Sequence, residues 1–178
     1  MRITGGLLKG RQILFAKHSD IRPTTDKNRS AIFSILSDRI ENANVLDVCC
    51  GTGAFGLESI SRGAKSVIFI DKDTSNITKN IELIKEHKFK IIKGDFFKKI
   101  SSLPKEYFDI IFVDPPYQKY DIIQILKTCE PYLKGTGIFI LEESSRTASK
   151  ESDILKIVDE RIYGDTKVIF YKKYQTQK

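Results

Sequence analysis

The sequence predicts an α/β protein built on a mostly parallel sheet that ends in an antiparallel hairpin. Three observations carry that expectation. Short apolar runs alternate with helically spaced stretches from residue 44 to residue 142, a glycine loop follows the first run, and the last forty residues break the rhythm with two strand-like runs. Strands separated by helices pair in parallel through right-handed crossovers. Runs joined by a tight turn pair antiparallel, so the last two should close one edge of the sheet.

The elements follow in order. The chain starts with a short basic extension, MRITGGLLKGR, and Thr24, Thr25 or Asp26 is placed to cap a helix with the apolar face Ile32, Phe33, Leu36 and Ile40. Residues 44–50 (NVLDVCC) read as the first strand and 53–61 as a helix after the loop. Residues 66–71 (SVIFID) form the second strand, and Ile77, Ile81 and Ile84 give 74–87 a helical period. The third strand is 89–93, the fourth 108–114, a helix runs from about 120 to 133, and the fifth strand is 137–142. Residues 154–163 and 167–174, joined by Gly164-Asp165, bring the count to seven strands.

Composition narrows the function classes. A chain of 178 residues, 40% hydrophobic and 30% charged, is long enough for one well-buried domain and is neither disordered nor fibrous in character. It contains no apolar run of membrane-spanning length, and its opening lacks the apolar core of a signal peptide, so a cytoplasmic location is expected. Three cysteines suit neither a disulfide framework nor a four-ligand zinc site, which makes buried thiols the expectation and a metal site not one. His18 and His87 lie away from the strand tips and are expected at the surface. A net charge of +7 favours a polyanionic partner.

In an open α/β sheet the ligand lies beyond the carboxyl ends of the strands. Asp47 lies in the first strand, Asp71 ends the second, Asp95 follows the third and Asp114 ends the fourth. One aspartate at a strand end is usually a turn residue, but four along one edge suggest a site. The loop Gly51-Thr52-Gly53-Ala54-Phe55-Gly56 has dinucleotide spacing, and Asp71 stands eighteen residues after Gly53 to hold ribose hydroxyls. Asp47, however, would repel a pyrophosphate and welcome an amino group. S-adenosylmethionine fits better: its amino-acid end at Asp47, its ribose at Asp71, its adenine amine at Asp95. Cys49, Gly51, Thr52 and Gly53 supply the loop, and Lys72 and Phe96 adjoin the two outer acids.

These segments resemble the class I methyltransferases and, within them, the RsmD-type guanine methyltransferases of bacterial small-subunit ribosomal RNA. The resemblance spans essentially the whole chain. It rests on Arg2-Ile3-Thr4-Gly5-Gly6 with Lys9-Gly10-Arg11, on Arg22-Pro23-Thr24-Thr25-Asp26 with Arg29, on LDVCCGTGAFGLESISRGA at 46–64 and on VDPPY at 113–117. Asp-Pro-Pro-Tyr marks methylation of exocyclic amines generally, and the arginine-proline-threonine segment is the more specific signal. Cys49 departs from the wider superfamily, in which many members have a glycine there. The resemblance implies one Rossmann-like domain over 1–178, with an amino-terminal hairpin and helix in 1–40 and the cofactor-binding core in 41–178.

The implied activity is methyl transfer to the 2-amino group of a guanine in 16S rRNA, by a monomer acting on an assembled or assembling 30S particle. Asp114 and a proline carbonyl of Pro115-Pro116 would hold the amine, and Tyr117 would stack on the base. Arg2, Lys9, Arg11, Arg22, Thr24 and Arg29 would meet the RNA. A methylase aimed at an adenine amine shares the 114–117 motif, and a nicotinamide-binding protein and a noncatalytic RNA-binding domain are readings from other classes.

Overall fold

The computed structural model describes residues 1–14, 26–82, 84 and 88–175. The expected RNA contacts Arg22 and Thr24, and both histidines, lie outside the described residues. Seven strands, β1 (Asn44–Val48), β2 (Ser66–Asp71), β3 (Lys88–Lys93), β4 (Phe108–Val113), β5 (Leu133–Ser144), β6 (Leu155–Tyr163) and β7 (Thr166–Lys173), form one sheet. Their order is β3-β2-β1-β4-β5-β7-β6. The first five pair in parallel, and β7 runs antiparallel to both β5 and β6, so the expected hairpin does close one edge.

Strand alternation divides the apolar residues between two cores. Val45, Val67, Phe69, Ile110 and Phe112 face α1 (Asp26–Leu36), α2 (Ala54–Ser61) and α3 (Ser75–Ile81). Leu46, Val48, Ile70, Ile111 and Val113 face α4 (Phe96–Lys99) and α5 (Ile122–Cys129). Burial on both faces explains why the central strands read as unbroken apolar runs.

Several boundaries differ from expectation, and the helix expected over 74–87 is regular only from Ser75 to Ile81. β5 starts at Leu133 because Leu133 pairs with Phe108 ahead of a register shift, and it continues to Ser144, which pairs with Thr166. The helix expected to reach residue 133 gives way to a 3-10 turn at Glu130–Tyr132, where Pro131 has no N–H to continue the α-helical ladder. The short α4 was not anticipated. Asp95 caps it by accepting from Phe97 N–H at 3.0 Å.

The amino-terminal segment folds back on itself through an antiparallel bridge between Arg2 and Gln12. It docks on α2, where Leu7 N–H donates to Ser61 O at 2.8 Å. Gly6 has φ +75°, and a Cβ there would lie 1.8 Å from that same Ser61 oxygen, so the close approach requires glycine. At the centre of the contact is Glu58, fully buried. It accepts from Thr4 N–H (2.8 Å), Thr4 Oγ1 (2.6 Å), Arg29 Nε (3.2 Å) and Arg62 Nε (2.9 Å).

Removing one partner of a buried ion pair strands the other's charge, at a cost of about 3 to 5 kcal/mol. Glu58→Ala should therefore lower unfolding free energy by about that much in urea titration and open the first 13 residues to protease before global unfolding. A loss under about 1 kcal/mol would reduce this network to the value of a surface ion pair.

Candidate active site

Strand order reverses direction between β1 and β4, and at such a switch point an open α/β sheet leaves a crevice beyond its strand tips. Ladder hydrogen bonds continue past those tips. Cys50 N–H donates to Ile70 O (3.3 Å), Gly94 N–H to Asp71 O (2.8 Å) and Asp114 N–H to Val48 O (3.2 Å). The loops after β1 to β4 are thereby locked together, and with α1 and α2 they enclose a cavity of about 570 Å³. That size suits a small-molecule ligand.

Among the described residues three carboxylates line it: Asp47, Asp71 and Asp114. Asp47 is buried in β1 on the α2 side, where its Oδ2 accepts from Gly56 N–H at 2.9 Å. Burial pushes its carboxyl up to about 7 despite that hydrogen bond, and Asp71 adds to the rise. Asp71 accepts from Gly51 N–H at 2.7 Å through Oδ2 and from Asp73 N–H at 2.9 Å through Oδ1. It thus pins the glycine loop while keeping acceptor positions for a ligand, since a carboxylate offers about four.

The loop's shape explains its composition. Gly53, at the start of α2, has φ +76°, and a Cβ would lie 2.1 Å from Ile77. Cys49 has φ +57°, in the left-handed region where glycine is the easy occupant. Burial and the charges of Asp71 and Asp114 push the Cys49 thiol up, so it stays protonated and is no nucleophile. Thr52 is buried, and its carbonyl accepts from Asn80 Nδ2 at 3.0 Å. Asn80 also bonds Leu14 N–H at 2.7 Å, tying the amino-terminal segment to the loop, a role that sequence reasoning did not find.

The tip of β4 forms the other side. Burial, followed by the like charges of Glu142, Asp47, Glu143 and Asp71, pushes the Asp114 carboxyl well above its usual range. Pro115 and Pro116 line the cavity, and Pro116 O closes the turn by accepting from Lys119 N–H at 3.2 Å. The Tyr117 ring is 40% exposed. Its hydroxyl lies 2.8 Å from Thr166 Oγ1 and donates to Glu142 Oε1 at 3.4 Å, and burial pushes its pKa up. Glu142 and Thr166 escaped sequence reasoning because they come from β5 and β7. The available signal was Glu142-Glu143, two acids closing an apolar run.

Lys72 and Phe96 also line the cavity, but Gly53 and Asp95 do not. Asp95 faces Lys72 Nζ at 2.8 Å, which holds its carboxyl below the usual range. Arg2, Lys9 and Arg11 are exposed on the amino-terminal hairpin, as RNA contact requires. Arg29 is a correction: only 1% exposed and paired with Glu58 and Asp26, it is out of reach of an RNA backbone. Among the described residues no group of three or more His, Cys, Asp or Glu side chains is arranged to hold a metal, and no helix is long and apolar enough to cross a membrane.

The family model described as Conserved hypothetical protein 95 matches residues 1–172. YlbH of Bacillus subtilis, named as a candidate rRNA methyltransferase, is 31% identical over 97% of this chain and 99% of its own length. Ribosomal RNA small subunit methyltransferase D of Buchnera aphidicola (subsp. Acyrthosiphon pisum) is 33% identical over 82% of this chain and 79% of its own. The solved structure of Escherichia coli yhhF, described as a candidate methyltransferase, superposes with a TM-score of 0.82 at 24% identity, covering 99% of both chains.

The elevated Asp47 carboxyl predicts a pH-dependent stability. An acid whose folded-state pKa exceeds its unfolded value favours the fold while protonated; the benefit is complete below about pH 4, declines as pH rises toward about 7, and is absent above that. Asp47→Asn keeps an acceptor for Gly56 N–H and mimics the protonated form at every pH. Its stability advantage over the parent, in urea melts of ligand-free protein, should open between pH 4 and pH 7 to about 2 to 4 kcal/mol and then level off. A pH-independent difference would mean that Asp47 is ionised throughout.

Proposed function

The chain belongs to the RsmD-type methyltransferase family, and on that premise we propose that it transfers a methyl group from S-adenosylmethionine to the 2-amino group of a guanine in 16S rRNA. The observation that carries this reading is the meeting of the 114–117 turn and the glycine loop in one cavity. The fit to the donor comes from the lining. Asp47, Asp71 and Asp114 would repel a pyrophosphate but complement a sulfonium, an ammonium and ribose hydroxyls. Ile70, Phe96 and Tyr120 offer apolar surface for adenine. Bound there, S-adenosylmethionine supplies an electrophilic methyl on a cationic sulfur.

The chain's own residues handle the acceptor. An exocyclic amine has its lone pair delocalised into the base and is a poor nucleophile. Asp114 accepts one N–H of the amine and the Pro115 carbonyl the other, since Pro116 O already closes the turn. That grip directs the nitrogen lone pair at the methyl as the nitrogen pyramidalises. As the N–C bond forms and the methyl leaves sulfur, the nitrogen becomes cationic, and the Asp114 carboxylate stabilises it and takes its proton. The raised pKa makes Asp114 a stronger proton acceptor than an ordinary carboxylate. Tyr117, held by Thr166 and Glu142, offers its exposed ring to the extruded base. Arg2, Lys9 and Arg11 meet the RNA backbone. The enzyme acts as a monomer on an assembled or assembling 30S particle.

Asp114→Ala should retain S-adenosylhomocysteine affinity yet lower methyl transfer about 100-fold or more. Asp114→Asn, which keeps an acceptor but loses the charge, should fall between alanine and parent. In the parent, transfer should rise with pH through a midpoint above the usual carboxylate range, because only ionised Asp114 can take the proton, and the asparagine form should lack that limb. Mass analysis of nucleosides from treated 30S particles decides the base: N2-methylguanosine is expected, and methyladenosine would move the activity to an adenine amine. Parental rates from Asp114→Ala would remove it from the reaction.

Lys9→Ala with Arg11→Ala should weaken RNA binding with a shallower salt dependence, by roughly one unit of log–log slope per lost phosphate contact, and leave S-adenosylhomocysteine titrations unchanged. An unaltered slope would make the hairpin cations solvated surface.

A further inference from the structure

Arg29 lies too deep for RNA, yet its guanidinium is not fully engaged by the protein. Nε donates to Glu58 Oε2 at 3.2 Å, and Nη2 donates to Asp26 Oδ1 at 2.9 Å and to the Arg2 carbonyl oxygen. Nη1 is buried without a hydrogen-bond partner among the described residues. A guanidinium nitrogen of this kind carries two N–H donors, and native proteins seldom leave such donors buried without an acceptor. Arg29 lines the cavity described above.

The cavity holds a second deeply buried charged group, Asp47, and both residues are 1% exposed. The rest of the α1 and α2 contribution includes Ile32 and Phe55, which offer no competing polar side chain. Asp47 as an acceptor and Arg29 as a donor, both deeply buried in the wall of one cavity, complement a zwitterionic α-amino acid head, its ammonium on Asp47 and its carboxylate on the arginine.

We infer that Arg29 Nη1 binds the carboxylate at the amino-acid end of the cofactor. The inference rests on the cofactor proposed above and gives α1, an element outside the glycine loop, a direct part in holding it. The arginine thus has two roles on different nitrogens: Nε and Nη2 tie the hairpin and α1 to α2, and Nη1 serves the ligand.

The test is isothermal titration of the intact protein with S-adenosylhomocysteine and with its decarboxylated analogue, S-adenosyl-3-thiopropylamine. The parent should bind the first about tenfold tighter or more, the range of a charge-assisted hydrogen bond. Arg29→Lys keeps a cation beside Glu58 but withdraws the second row of donors, so its preference should shrink to less than about threefold. Thermal melting of the variant checks that it is folded. If it is not, the same pair of titrations on Arg29→Gln, which keeps a donor for Glu58, takes its place, and equal parental affinity for both ligands still overturns the inference. Tight binding of S-adenosylhomocysteine with equal affinity for the decarboxylated analogue would overturn the carboxylate role alone. A preference fully retained in folded Arg29→Lys would assign the carboxylate to other donors and also overturn it. Failure of the parent to bind S-adenosylhomocysteine at all would defeat the cofactor reading, and this inference with it.

Discussion

A buried carboxylate has to be paired, and that requirement at Glu58 organises the hairpin and α1 ahead of the first strand. Isolated in the interior, the charge would be untenable. Thr4 from the hairpin, Arg29 from α1 and Arg62 from the end of α2 converge on it instead. One residue in the middle of an eight-residue helix thereby gathers three segments whose apolar residues, Ile3, Phe33 and Phe55 among them, also share one core. The arrangement fixes the basic hairpin on α2 and sets α1 as part of the cavity wall. Because each partner is itself buried or half-buried, the network is specific in geometry as well as in charge.

The cavity shows the opposite use of charge. Asp47, Asp71 and Asp114 stand at adjacent strand tips, where burial and mutual repulsion raise Asp47 and Asp114 above ordinary carboxylates. Such a cluster destabilises the ligand-free protein at neutral pH, and the fold tolerates it because the locked strand tips leave the acids no room to separate. A cationic ligand relieves the repulsion. On the proposed function, the same electrostatic tension that weakens the fold favours the sulfonium and prepares Asp114 to take a proton.

Much of this was legible in the sequence, for identifiable reasons. Parallel strands buried on both faces produce continuous apolar runs, so β1, β2 and β4 were found within a residue or two of their ends. Gly164-Asp165 set the terminal hairpin, and Gly164 does take the positive φ that such a turn needs. The strand-tip acids could be read because a parallel sheet presents all its carboxyl ends on one side. Helix ends were harder: Pro131 cut one short, and α4 is a single turn made visible only by its Asp95 cap.

The sequence by itself determined the alternation of strands and helices, the glycine loop, and the presence of Asp47, Asp71 and the 114–117 turn along one edge, since each depends on local spacing and periodicity. It could not determine which polar groups turn inward. Arg29 looks like one basic residue among several, and only the packing of α1 against α2 buries it against Glu58 and leaves Nη1 without a partner among the described residues. The support of Tyr117 by Glu142 and Thr166 likewise depends on β5 lying next to β4 and on β7 next to β5. Asp95, expected at the adenine amine, also caps α4 and pairs with Lys72, two partners that its spacing along the chain does not announce. Spacing along a chain specifies which groups are available, whereas partners distant in sequence are chosen by the need to satisfy every buried charge and donor at once, which only the complete tertiary arrangement resolves.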